Sequence, residues 1–189
     1  MKRIATLLLL VALFSTVSPA QKLTRFMLGM TVSGKTSVFE SKLKNEYGFE
    51  EVHPHFLAGK FYASFAMLVY DSFDSWLNGK DIIVATVSRG NVLVAIDMII
   101  YSDPQDTIAN RDLYIETCHK MKDDIFYEPI GMTDDLLGKY PAVFTFVQKD
   151  IEGKYDSDEF MLRRIVEVIP QDYGVVVRYI NGWNLMNGK

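Results

Sequence analysis

The stretch DIIVATVSRGNVLVAIDMIIY, residues 81–101, decides the fold class. Two runs rich in Ile and Val flank Arg89-Gly90-Asn91, and a glycine-containing turn between such runs is the signature of an antiparallel hairpin. In the second run Val92, Val94, Ile96, Met98 and Ile100 alternate with Leu93, Ala95, Asp97, Ile99 and Tyr101. A period of two places the sets on opposite faces of a strand. Upstream, residues 61–70 read as a third strand, with Phe61, Ala63, Phe65, Met67 and Val69 on one face. The opposite set is less polar than a solvent face should be. Before it, Phe39, Leu43 and Tyr47 recur at helical spacing behind Ser37-Val38-Phe39-Glu40, a capping-box pattern, and Gly48 stands where a helix ends. A short strand over 22–27 opens this half.

Downstream, Ser102 to Asp106 offers capping side chains, an early proline and early acid for a second helix. Tyr114, Cys118, Met121 and Ile125 form its stripe, and Pro129 is expected to end it, followed by a turn over 131–139. Strands are then expected over 143–148, 160–169 and 173–180. The order is helix, three strands, helix, three strands. It implies an α+β fold, one antiparallel sheet of about six strands with two main helices on one face. The same order admits a helix-plus-three-strand duplication.

Residues 1–20 have the form of a cleavable signal peptide. Lys2 and Arg3 precede an apolar run from Ile4 to Phe14, and Ser18-Pro19-Ala20 places small residues at the −3 and −1 positions. The run is too short for a membrane anchor, which needs roughly twenty apolar residues. No Cys follows to take a lipid. A single α+β domain over 21–189 is expected, exported to the periplasm or the extracellular space, with no transmembrane anchor. Of 20 Lys+Arg and 24 Asp+Glu, the segment removes Lys2 and Arg3, so 18 bases face 24 acids and the net charge of −4 becomes −6. An acidic chain without a basic stripe argues against nucleic acid. One cysteine, Cys118, excludes a disulfide scaffold.

Chemistry-bearing residues are sparse. His53 and His55 flank Pro54, yet a metal needs a third and usually a fourth ligand, so an exposed loop is expected. Cys118 and His119 adjoin on the second helix and point about 100° apart; Cys118 falls in the apolar stripe, where a thiol is a small hydrophobe. The acids Asp150, Glu152, Asp156, Asp158 and Glu159 lack the spacing of a calcium loop. Asp97 differs in parity from the Val92-to-Ile100 set and is placed on the outward face of the hairpin. No catalytic set, cofactor or metal is assigned. Phe73, Trp76 and Leu77 fall in a connection between strands, where aromatics can anchor a protein interface, or fold inward as a turn. Trp183 has the same two readings.

Phe26-Met27-Leu28-Gly29-Met30 ahead of the helix segment 39–49, Leu57-Ala58-Gly59-Lys60-Phe61, and Val177-Arg178-Tyr179-Ile180-Asn181 carry a family likeness. The chain resembles a group of exported, uncharacterised bacterial α+β proteins. Through them it resembles the fold group of the β-lactamase inhibitor protein and the BamE (SmpA/OmlA) lipoproteins. The resemblance implies a non-enzymatic protein that binds other proteins through a sheet face and loops, and it transfers no site residue. The chain departs from the lipoproteins in lacking their lipid-attachment Cys. The function expected is a protein-binding module with an envelope or extracellular partner. Its rivals are a carrier of a small apolar ligand and a hydrolase with no recognisable motif, which a cleft holding Asp97, His119 or His53 beside another titratable side chain would support.

Overall fold

A computed structural model describes residues 34–57, 63–68, 77, 79–123, 127–133, 143–148 and 164–187. The expected signal peptide, the expected strand over 22–27, Phe73, Trp76 and the acidic loop lie outside the described residues, as does the side chain of Trp183. Among the described residues eight strands form one antiparallel sheet: β1 (Glu50–Val52), β2 (Ser64–Leu68), β3 (Asp81–Arg89), β4 (Val92–Tyr101), β5 (Tyr127–Thr133), β6 (Val143–Gln148), β7 (Arg164–Gln171) and β8 (Gly174–Asn181). Helix α1 (Thr36–Tyr47) precedes β1, α2 (Thr107–Lys122) precedes β5, and the short α3 (Gly182–Asn187) follows β8. The fold is thus α+β as expected, with two strands more than the sequence reading assigns. Among the described residues no helix is long and apolar enough to cross a membrane.

The strand order is β1-β2-β3-β4-β8-β7-β6-β5. Each half is therefore one helix followed by a four-strand meander, and the fourth strands of the two halves meet at the centre. The repeat unit is helix plus four strands rather than three. The registers make the halves correspond. Ser64 faces Ala85 and Ala85 faces Asp97 in the first half; Thr145 faces Glu167 and Glu167 faces Arg178 in the second. Asp97 then faces Arg178 across the central pair. A local two-fold axis consequently passes through the Asp97–Arg178 pair and exchanges Phe65 with Phe146 and Ile83 with Ile165.

Both helices pack on one face. Phe39 and Leu43 of α1 and Leu113 and Met121 of α2 join Phe65, Val84, Ile96, Met98, Phe146, Val166, Val177 and Tyr179 in the main core. Gly48 closes α1 at φ 73°, donating to the Leu43 carbonyl, the left-handed ending that favours glycine. The expected capping box does not form. The helix begins at Thr36 with Lys35 at its cap, two residues ahead of a Ser37 cap, and the Thr36 N–H is taken by the Asn91 carbonyl in the β3–β4 turn. Glu40 turns to the sheet instead and accepts from Thr86 Oγ1 at 2.9 Å. Helix α2 starts later than read, with Asp106 accepting from the Ala109 N–H at 2.8 Å. It ends at Lys122, not at Pro129, which lies within β5. Proline is tolerated there because β5 is an edge strand with only one ladder to satisfy.

The face away from the helices is buried as well. Ile83, Ala85, Ile99, Ile169, Tyr173 and Val176 form a second cluster, with Leu57 and the half-buried Phe56 of a 3-10 turn (His55–Leu57) packed against it. The two-fold counterparts of Ile83, Ile99, Ile169 and Val176 are Ile165, Ile180, Val87 and Ala95. Those four gather under Leu185 of α3. Two equivalent apolar patches thus carry two unlike covers, a 3-10 turn on one half and the C-terminal helix on the other.

Candidate functional site

Asp97 corrects the sequence reading. It does leave the helix face, as its parity requires, but that face is not solvent, and the residue is only 6 % exposed. Arg178 Nε donates to Asp97 Oδ1 at 2.6 Å and Nη2 to Oδ2 at 2.9 Å, a bidentate pair. Arg178 Nη1 lies 3.7 Å from Glu167 Oε2. Arg178 and Glu167 are both essentially sealed from water. With both Asp97 oxygens held by one guanidinium, this row links the two halves across the local two-fold and offers no group to a substrate. A planar fork suits that task better than a lysine would.

Leu77 takes the inward of its two readings and is removed from the partner-binding candidates. It is fully buried in the main core, so it folds inward and is not available to a partner. Phe73, Trp76 and the Trp183 side chain are among the residues left undescribed.

His53 and His55 are exposed, and among the described residues no three His, Cys, Asp or Glu side chains come together as a metal would require. His119 is exposed on α2. Cys118 is half-buried beside Tyr114. Burial raises the thiol pKa, opposed in part by a hydrogen bond with Tyr114, while burial first and Cys118 second push the Tyr114 phenol up to about 12. Both groups are held neutral by the fold. Groups whose folded pKa lies above the unfolded value stabilise fully below the unfolded value and lose that contribution as pH rises through the folded one. Stability is therefore expected to decline from about pH 9 upward, the ordinary thiol range. Urea midpoints at pH 8 and pH 10.5 should show it, with a shallower decline in a Tyr114→Phe/Cys118→Ala variant.

The concave feature that sequence reasoning missed lies on the first half of the face away from the helices. It is an open groove of about 700 Å3. Ala66 of β2 and Ile83 of β3 make its floor; Val52, Pro54 and Phe56 make an apolar wall; Glu50, His53, Asp81 and Tyr101 stand at its mouth. The wall is braced from the other half. Phe56 stacks on Tyr173, in the β7–β8 turn, with ring centres 4.4 Å apart, and on Tyr101 at 5.8 Å. Tyr173 is itself fixed, because its carbonyl accepts from the Ser102 N–H and the neighbouring Asp172 carbonyl accepts from Asn110 Nδ2. A second hollow of about 670 Å3 shares Asp81 and Tyr101 with the first and continues toward α2, where Asp103, Asp112 and Glu116 line it.

The electrostatics are one-sided. Lys80 neutralises Glu116 at 3.2 Å, and Arg111 holds Asp112 at 3.0 Å. Glu51, on the far side of β1, is tied to Lys44, whose hydrogen bond and charge lower its pKa. Glu50, Asp81 and Asp103 form no ion pair with any described residue. Among the described residues His53 makes no hydrogen bond to a groove carboxylate, and neither Ser, Thr nor Cys lines the first hollow. An apolar floor, an aromatic wall and unpaired carboxylates at the mouth suit binding by burial with a preference for positive charge.

Comparison with family models, with curated proteins and with solved structures returned no match. The site's own geometry is therefore the ground for a functional reading.

Proposed function

We propose that the chain is an exported, non-enzymatic protein-binding module of the periplasm or cell exterior, and that the groove on the first half is its contact surface. The observation that carries this reading is the shape and lining of the groove. It is open along its length, as a segment of another protein requires, whereas a carrier of a small apolar ligand encloses most of its cargo. The likeness to the β-lactamase-inhibitor and BamE fold group supports the same reading. The signal-peptide pattern over 1–20 supports export, and the acidic balance argues against nucleic acid.

Ala66 is half-buried in the groove floor, so Ala66→Trp should fill it without disturbing the helix-side core. A photo-crosslinking side chain at Tyr101 is expected to capture a partner in the producing cell, and one at Val38, exposed on the outer side of α1, is not. Adding Ala66→Trp should cut the Tyr101 adduct about tenfold, a loss of about 1.4 kcal/mol of binding, at an unchanged melting temperature. Equal capture from both positions, or indifference to Ala66→Trp, contradicts the assignment. A Phe73→Ala/Trp76→Ala variant tests the loop anchors separately: unchanged capture removes them.

A further inference from the structure

The two hollows share Asp81 and Tyr101, so a chain leaving the apolar floor must cross that pair to enter the acidic end. Asp81 opens β3 and Tyr101 closes β4, each one step beyond the last cross-strand pair, Ile82 with Ile100. The first hollow has Ala66, Ile83 and Phe56 in its lining; the second has Asp103, Asp112 and Glu116 together with Lys80, which is paired with Glu116. Among the described residues Asp81, Glu50 and Asp103 hold no cation, so their charges are not balanced there. Each such charge gains by meeting an opposite one in a partly shielded cleft.

We infer that the groove takes an extended segment of a partner protein in which an apolar side chain is followed closely by Lys or Arg. This rests on the reading of the groove as a protein-binding surface. The apolar side chain lies on Ala66 and Ile83 against the Phe56 ring. The cation crosses to Asp81 and Asp103, where the face of Tyr101 gives it a further partner. A second copy of this chain is a poor occupant, because its net charge of −4 would bring like charge to the acidic end. Sequence reasoning could not assemble the site, since its lining comes from β1, the segment after it, β2, β3, β4 and α2.

The test uses the chain from Gln21 onward, isotope-labelled, and three synthetic octapeptides. One carries a Leu-Lys-Leu-Arg core, one has Glu in place of both cations, and one has Gln. The basic peptide is expected to shift the amide resonances of Glu50, Ala66, Asp81, Ile83 and Tyr101. Its affinity should fall about tenfold between roughly 50 and 300 mM salt, because the contact is partly exposed to screening. Asp81→Lys, at an exposed position, should abolish the shifts and leave the melting temperature unchanged. Binding of the Gln peptide as tight as the basic one overturns the charge requirement while leaving a protein-binding groove. Shifts at other residues, binding that survives Asp81→Lys, or no binding of the basic peptide overturns the inference. In the last case, adduct formation from Tyr101 that Ala66→Trp still blocks keeps the broader function, and loss of that adduct removes both.

Discussion

Arg178→Met is expected to cost about 3–5 kcal/mol of unfolding free energy, enough to unfold many domains of this size. The side chain fits the space, so the loss is electrostatic. Asp97 would remain buried without the guanidinium that holds both its oxygens, and Glu167 would lose its contact with Arg178; a buried carboxylate stripped of its counter-charge is far costlier than a missing apolar contact. Urea unfolding followed by far-ultraviolet circular dichroism reads the change. Removing all three charges, with Asp97→Val, Arg178→Met and Glu167→Val, should recover most of the loss, because a well-packed apolar row can match a buried ion pair. The local two-fold adds a sharper test. The reciprocal exchange of Asp97→Arg with Arg178→Asp puts the new carboxylate against Glu167 and should stay unstable. Adding Glu167→Ala and Ala85→Glu completes the mirror of the original row and should restore stability. Failure of the four-fold exchange, with the triple apolar variant stable, would show that the halves are not equivalent at this row.

The same row shows how far the sequence could be read. A single acid stands within the apolar run of β4 and a single base within that of β8, and opposite lone charges in two buried strands are a legible hint of pairing. What was not legible is that the face carrying them is covered. Alternation reports two faces and says nothing of what lies on each, and here the outward set of Leu93, Ala95 and Ile99 was already apolar. A register shift in β3–β4 between Val87 and Ser88 then moves Leu93 into the helix-side core, against simple alternation. The hairpin 81–101 and the α1 stripe of Phe39 and Leu43 were readable because each is stabilised by its own periodic burial. The face α2 buries most deeply is instead Leu113, Thr117 and Met121, with the expected Tyr114 and Cys118 only half-buried beside it and Ile125 outside the described residues. Strands β1 and β5 were not readable. Glu50-Glu51-Val52 and the Pro129-containing β5 are edge strands whose pairing comes from their neighbours rather than from their own pattern. The groove depends on both the edge pairing of β1 and the docking of Phe56 on Tyr173, and so could be seen only in the folded chain.

Gly174→Ala should be the most damaging single-methyl addition in the described part of the protein. Gly174 has φ 129°, a backbone conformation that L side chains rarely adopt, and a Cβ placed there would sit 2.1 Å from the Ile100 carbonyl oxygen. That oxygen belongs to β4, and Gly174 begins β8 opposite Tyr101, so neither backbone can move without opening the central strand pair. Strain of the dihedral alone costs about 1–3 kcal/mol, and the backbone clash should carry the total to at least about 3 kcal/mol, in the range where one named mechanism dominates. Gly79→Ala is the control. It also has positive φ, 75°, but meets nothing within 4 Å, so only the left-handed penalty of about 1–2 kcal/mol applies. The two variants together separate conformational strain from contact. Because Tyr173 precedes Gly174 and stacks on Phe56, the clash should also loosen the groove wall. Any Gly174→Ala protein that remains folded should bind the basic peptide more weakly than Gly79→Ala does. A Gly174→Ala midpoint equal to that of Gly79→Ala would mean that β4 and β8 can part at this end without cost.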